Sequence, residues 1–118
     1  MLSLRRNGLM SYNIKILAVF EKQAKPLIKR YPSLKSEIAA LISSLKVEPK
    51  QGINLGTNCF KIRLAIASKG KGKSGGARII THIHFTEDNV VYLMSIYDKS
   101  ELSSISDSAI KDLLKTIY

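Results

Sequence analysis

Near residue 50 the apolar spacing of this chain changes period, and that switch restricts the folds open to it. Before it, Phe20, Ala24, Leu27, Ile28 and Tyr31 recur at i, i+4, i+7, i+8 and i+11, the stripe of an amphipathic helix. Leu34, Ile38, Leu41, Ile42 and Leu45 repeat the spacing. Tyr31-Pro32-Ser33 breaks the chain between the stripes, Ser33 is placed to cap the second helix, and Pro49 and Gly52 end it. Pro26 lies inside the first stripe and is expected to kink or restart it. The two stripes form a helical hairpin. After the switch, period two predicts strands over 60–67, 77–86 and 90–98, with Glu87-Asp88-Asn89 as a tight turn between the last two. A strand over 12–17 precedes the hairpin, and 50–58 is expected to be loop. Ile110, Leu113, Leu114 and Ile117 mark a last helix, capped by Ser106 and stapled by Ile105 onto Ile110. The expected fold is α+β, a small single domain ordered β-α-α-β-β-β-α. A mainly antiparallel sheet packs on the hairpin.

Strand parity separates core from site. Ile62, Leu64 and Ile66 share one face, as do Ile79, Ile83 and Phe85, and Met94 and Ile96. These are expected to pack on the hairpin. The opposite faces carry Lys61 and Arg63, then Arg78, Ile80, His82 and His84, then Leu93, Ser95, Tyr97 and Lys99. A purely structural sheet has no need of a second face so rich in Arg, His, Tyr and Lys.

The segment joining the first two of these strands is cationic. KIRLAIASKGKGKSGGAR, residues 61–78, holds six cations and no carboxylate. After Glu48 the next acid is Glu87, with seven basic residues between them. Glycines within the segment let the backbone turn and approach a ligand closely. The net charge of +10 in 118 residues has the same sign. Such a field attracts polyanions, nucleic acid or ribosome foremost. Lys61, Lys69, Lys71, Lys73 and His82 are candidates for holding phosphate there. The acids concentrate instead in residues 87–118, which carry a net charge of −3.

Several other chemistries are excluded. Gly72-Lys73-Ser74 lacks the glycine a nucleotide-binding loop needs five residues earlier, where Ala67 stands, and Gly-Gly and a strand follow instead of a helix. His82 and His84 lack further ligands of suitable spacing, so neither a metal nor another cofactor is expected. Cys59 is the one cysteine; it is expected to be a small core residue in a reducing cytoplasm. No run of 18 apolar residues spans a membrane. Residues 1–10 have two arginines without an apolar run behind them, which is no secretory signal. They are expected to be a flexible leader, with 11–118 as the folded domain.

Lys61-Ile62-Arg63 followed by Gly70-Lys71-Gly72-Lys73-Ser74-Gly75-Gly76-Ala77-Arg78-Ile79-Ile80 resembles the RelE/HigB family of bacterial type II toxin–antitoxin toxins, in its HigB-like branch. Tyr97-x-Lys99-x-Glu101, then Ile105-Ser106 before the last helix, is a second match. The resemblance runs from Tyr12 to Tyr118, and the sequence departs from it at Pro26, His82 and Leu102-Ser103-Ser104. It implies a RelE-like fold and a toxin that cleaves mRNA, typically on the ribosome. It also implies a co-encoded antitoxin, expected to be a helix-turn-helix protein with an acidic segment. Toxins of the same fold also poison DNA gyrase, and a non-catalytic RNA- or ribosome-binding module would need only the basic charge.

The residues suit cleavage without metal. The substrate's own 2′-hydroxyl attacks phosphorus, so the protein must align it, move two protons and stabilise a more negative phosphorane. Arg63 and Arg78 suit the phosphorane because their planar forks stay charged. Tyr97 can stack on a base or relay a proton, and Lys73 and Lys99 can hold phosphates or move a proton. His82 is an outside candidate for the base.

Overall fold

The computed structural model describes residues 11–70, 72–86 and 88–118. The expected leader, Lys71 and the Glu87 corner of the expected turn lie outside them. Strand β1 (Asn13–Ile16) leads into helix α1 (Ala18–Arg30), and α2 (Leu34–Leu45) follows. Then come β2 (Ile53–Gly56), β3 (Cys59–Leu64), a 3-10 turn (Ala67–Lys69), β4 (Ala77–His84), β5 (Val90–Asp98) and α3 (Asp107–Lys115). The strands form one sheet ordered β1-β5-β4-β3-β2. β1 runs parallel to β5, and the other neighbours are antiparallel. Among the described residues no helix is long and apolar enough to cross a membrane.

The helical stripes do what their spacing dictates. Phe20, Ala24 and Leu27 of α1 and Leu34, Ile38, Leu41 and Leu45 of α2 are buried against Ile62, Ile79, Ile83, Val91, Leu93 and Ile96 of the sheet. Each fully buried aliphatic side chain contributes about 1.5–3 kcal/mol. Pro26 neither ends nor restarts α1, which runs unbroken past it; Pro26 is exposed, and the buried stripe carries the helix through. Ser33 precedes α2 but does not cap it. Its hydroxyl instead bonds Glu37 and accepts from the Ser68 amide at 2.9 Å. Ser106 does cap α3, accepting from the Ala109 amide at 3.1 Å.

β1 stops pairing at the level of Leu93, which leaves the β5 edge beyond it without a strand. Gln23 of α1 covers that edge, its Oε1 accepting from the Ile96 amide and the Ser95 hydroxyl at 3.0 Å each. A buried amide without a partner would be costly, so this one side chain lets the helix replace a strand.

Three expectations are corrected here. Residues 50–58 are not all loop, because β2 forms an edge strand on β3. Thr57 and Asn58 both have positive φ, 47° and 57°, the pair a tight two-residue hairpin turn requires. Ile53 and Leu55 alternate over only four residues, between Gly52 and Gly56, too short a run to mark a strand. Second, the β4–β5 register skips Met94, since Ile80 faces Ser95 while Thr81 faces Leu93. That bulge reverses parity, so Leu93 joins the hairpin core and Met94 the opposite face. Third, Phe85 lies beyond the end of β4 and is 49% exposed, with Lys50 Nζ 5.8 Å from its ring centre.

The second face of the sheet is not fully open. Ile110 and Leu113 of α3 cover Cys59, Ile80, Met94 and Tyr97. With helices on both sides, β4 is buried from Ala77 to Ile83, which also encloses the polar Arg78, Thr81 and His82.

Gly76 closes the segment before β4, and a Cβ there would lie 2.1 Å from the Leu64 carbonyl oxygen. The obstacle is backbone and cannot swing aside. Gly76→Ala is expected to lower stability by about 2–3 kcal/mol, read from urea unfolding.

Candidate active site

One row of side chains crosses three strands. In the β3–β4 register Arg63 faces Arg78, and in the β4–β5 register Arg78 faces Tyr97. Directly opposed residues have Cβ atoms about 4.5–5.5 Å apart, and like charges placed so are destabilising. No carboxylate of the described residues forms a salt bridge with either arginine.

The three members differ in exposure. Arg63 is exposed, while Arg78 is 4% exposed. The Arg78 guanidinium donates to the Lys73 carbonyl at 2.8 Å, the Ala77 carbonyl at 3.2 Å and the Ser74 carbonyl at 3.5 Å. It therefore organises the cationic segment as well as charging it. Tyr97 is 8% exposed, and its hydroxyl has no hydrogen-bond partner among the described residues. Burial pushes that hydroxyl's pKa up, against the pull of the Ile105 backbone and the Arg78 charge. Tyr97 thus lies directly opposite Arg78, with Arg63 on the far side of Arg78, and a buried hydroxyl without a partner is uncommon in folded proteins. The Thr81 hydroxyl is also unpartnered, and nothing beside it explains why.

The segment between the 3-10 turn and β4 brings Lys73 to the same end of the sheet. Gly70 and Gly72 take positive φ, 77° and 60°, with open space around them. The Gly76 carbonyl accepts from the Lys99 amide at 3.0 Å, which ties the segment to the end of β5. Lys73 is exposed and Lys99 partly so. Arg63, Arg78, Tyr97, Lys73 and Lys99 are thus brought together. Lys61 lies two residues along β3 on the Arg63 face, partly exposed. Lys71 lies outside the described residues.

Two expected phosphate ligands are placed otherwise. The Lys69 side chain is nearly buried, its ammonium paired with the buried Asp98 carboxylate. His82 is 4% exposed and lies four residues along β4 from Arg78, about 13 Å at the strand rise. Its ring bonds Cys59 Sγ at 3.5 Å and the Tyr118 hydroxyl at 2.7 Å, under α3. Burial lowers the His82 pKa and raises that of Cys59, so both are held neutral near pH 7. That pair is a packing contact, remote from the arginine row.

Sequence reasoning missed Asp98. Its Oδ1 accepts from the Lys69 ammonium, the Ser100 amide at 2.9 Å and the Ser100 hydroxyl at 2.8 Å. Its Oδ2 accepts from the Tyr31 hydroxyl at 3.2 Å. The only sequence signal was an acid between two candidate site residues. Burial alone would raise its pKa, but the hydrogen bonds from Lys69 and Ser100 hold it at about 2.

A cleft of about 630 Å³ lies elsewhere, on the hairpin, lined by Ile16, Phe20, Ala24, Ile28, Ile38 and Ile42 with Lys22, Lys25 and Lys35. No member of the arginine row lines it.

No family model matches the chain. A solved structure of the E. coli toxin RelE in the free state, with two of its arginines replaced by alanine, matches with a TM-score of 0.57 at 16% identity. The match covers 92% of this chain and 100% of that one. The chain has a RelE-like fold, as its sequence led us to expect.

The Asp98 carboxylate gives a pH prediction. Its folded pKa, about 2, lies below the unfolded value of about 3.9. The stability it supplies is complete above pH 4 and is lost as pH falls toward 2, about 2 kcal/mol in all. The stability gap between the wild type and Asp98→Asn should narrow over that range in urea titrations, and a gap independent of pH would contradict it.

Proposed function

We propose that this protein is the toxin of a type II toxin–antitoxin system, of the HigB-like branch, and acts as an mRNA endoribonuclease on the translating ribosome. The observation that carries this reading is the unpaired Arg63–Arg78–Tyr97 row beside a cationic glycine segment. The RelE-like fold and the sequence motifs support it.

In this reading the 2′-oxygen forms a bond to phosphorus while the bond from phosphorus to the 5′-oxygen breaks. One proton leaves the 2′-hydroxyl and another reaches the departing 5′-oxygen. Arg63, the exposed member of the row, contacts the phosphorane directly. One such contact is worth about 2.7–4 kcal/mol when it acts only in the transition state. Arg78 supplies charge from below and fixes the carbonyls of the segment that carries Lys73. Tyr97, opposite Arg78 and covered by α3, serves in this scheme as a proton relay and not as an exposed stacking surface. Lys73 and Lys99 hold flanking phosphates or move a proton. No cofactor enters the scheme.

Expression should arrest translation, and primer extension on a translated message should show cuts within the reading frame. Intact message alongside supercoiling defects would move the reading to gyrase. Arg63→Ala should remove cutting by about 100-fold or more with unchanged stability. Arg78→Ala should remove it too, and also lower stability by about 1–3 kcal/mol, because two loop carbonyls lose their donor.

The partner in this reading is an antitoxin whose acidic segment covers the cationic face. Arg63→Glu with Lys99→Glu spares the buried Arg78 and should weaken antitoxin binding at least tenfold, chiefly by slowing association. Wild-type affinity and association rate in that variant would place the antitoxin on the helical hairpin instead, keeping the toxin out of the ribosome.

A further inference from the structure

Lys69 was expected among the phosphate ligands, yet among the described lysines of the loop it is the one whose charge is paired with a carboxylate. Its side chain is 9% exposed and that of Asp98 is 0% exposed. Its ammonium also donates to the Ser100 hydroxyl at 3.0 Å and sits 5.5 Å from the centre of the Tyr31 ring. We infer that the Lys69–Asp98 pair is a positioning device that fixes the entry of the cationic segment to the end of β5, so that Lys73 and Lys99 are held in register with the arginine row. This rests on the ribonuclease reading for its consequence in turnover, and on geometry alone for its consequence in loop order.

The geometry is specific. Lys69 ends the 3-10 turn, and Gly70 follows in the left-handed region. The start of that turn is held from α2, where Glu37 accepts the Ala67 amide at 2.7 Å and Ser33 accepts the Ser68 amide at 2.9 Å. Its end is held from β5 by Asp98. The exit of the segment is held from β5 as well, through the Lys99 amide and the Gly76 carbonyl. Entry and exit are therefore tied to consecutive residues, 98 and 99, and the residue before them is Tyr97 of the row. The side chains of Lys73 and Lys99 repel one another and the arginines, and a segment of glycines does not resist that repulsion by itself. A buried carboxylate is the anion that closes the loop without occupying the substrate's place. Loss of either partner leaves a buried charge unpaired, which reopens the loop.

Asp98→Asn and Lys69→Met test this by amide hydrogen exchange and by RNA cleavage on ribosomes. Exchange at Gly70, Gly76 and Lys99 should quicken at least tenfold in both variants, with Ile79 and Ile83 of β4 unchanged. Turnover should fall at least tenfold in both variants, with RNA binding weakened in both as Lys73 and Lys99 lose their register, and Lys69→Arg, which keeps the charge, should recover most of the turnover and the exchange protection. Were Lys69 a phosphate ligand, Lys69→Met would raise KM and lessen the salt slope by roughly 0.7. Asp98→Asn would then free the lysine and tighten binding; that pair of results overturns the inference, as does unchanged exchange. If the wild type cuts no RNA, the ribonuclease reading falls and the exchange arm alone decides this one. If Asp98→Asn does not fold, Tyr31→Phe removes a single donor, and it should quicken the same three amides by a smaller factor; no change there also overturns the inference.

Discussion

The cationic end of the sheet needs an anion of its own, and Asp98 is that anion. Arg63, Arg78, Lys73 and Lys99 meet there without a pairing carboxylate among the described residues, and they would push the segment apart. Backbone carbonyls take the Arg78 guanidinium, which needs no net charge from the loop. Lys69 is paired off by Asp98 below the surface. Two cations are thus consumed in building the site, and Arg63, Lys73 and Lys99 keep exposed surface for a ligand. The division follows from burial: a cation that is satisfied by the protein holds the frame, and a cation that is not stays at the surface.

Helical stripes were the most legible part of the sequence, because their burial is one-sided and their period is long. Phe20, Ala24 and Leu27, then Leu34, Ile38, Leu41 and Leu45, lie where spacing alone put them. Four of the strands were legible, including the largely exposed β1. β2 escaped because its alternation is only two apolar residues long, Ile53 and Leu55 between Gly52 and Gly56, and its turn residues, Thr57 and Asn58, lack the glycine that usually marks such a hairpin. The arginine row was visible as parity in β3 and β4. The fate of Lys69 was not, since it depends on Asp98, 29 residues away, and no local rule joins the two.

The bulge at Met94 reconciles the two demands made on β5. Val91 and Leu93 must face the hairpin to close the core, and strict alternation would then send Tyr97 to the same side. One skipped residue turns the second half of the strand over. Ile96 then faces the hairpin, and Tyr97 arrives opposite Arg78 on the other face. Gln23 is the counterpart of that irregularity, since it takes the Ile96 amide just beyond the last β1 pairing. Were Met94 taken into regular pairing instead of skipped, the same strand would lose either the core or the row. Met94, which carries no polar group, is therefore the residue whose bulge sets Tyr97 opposite Arg78.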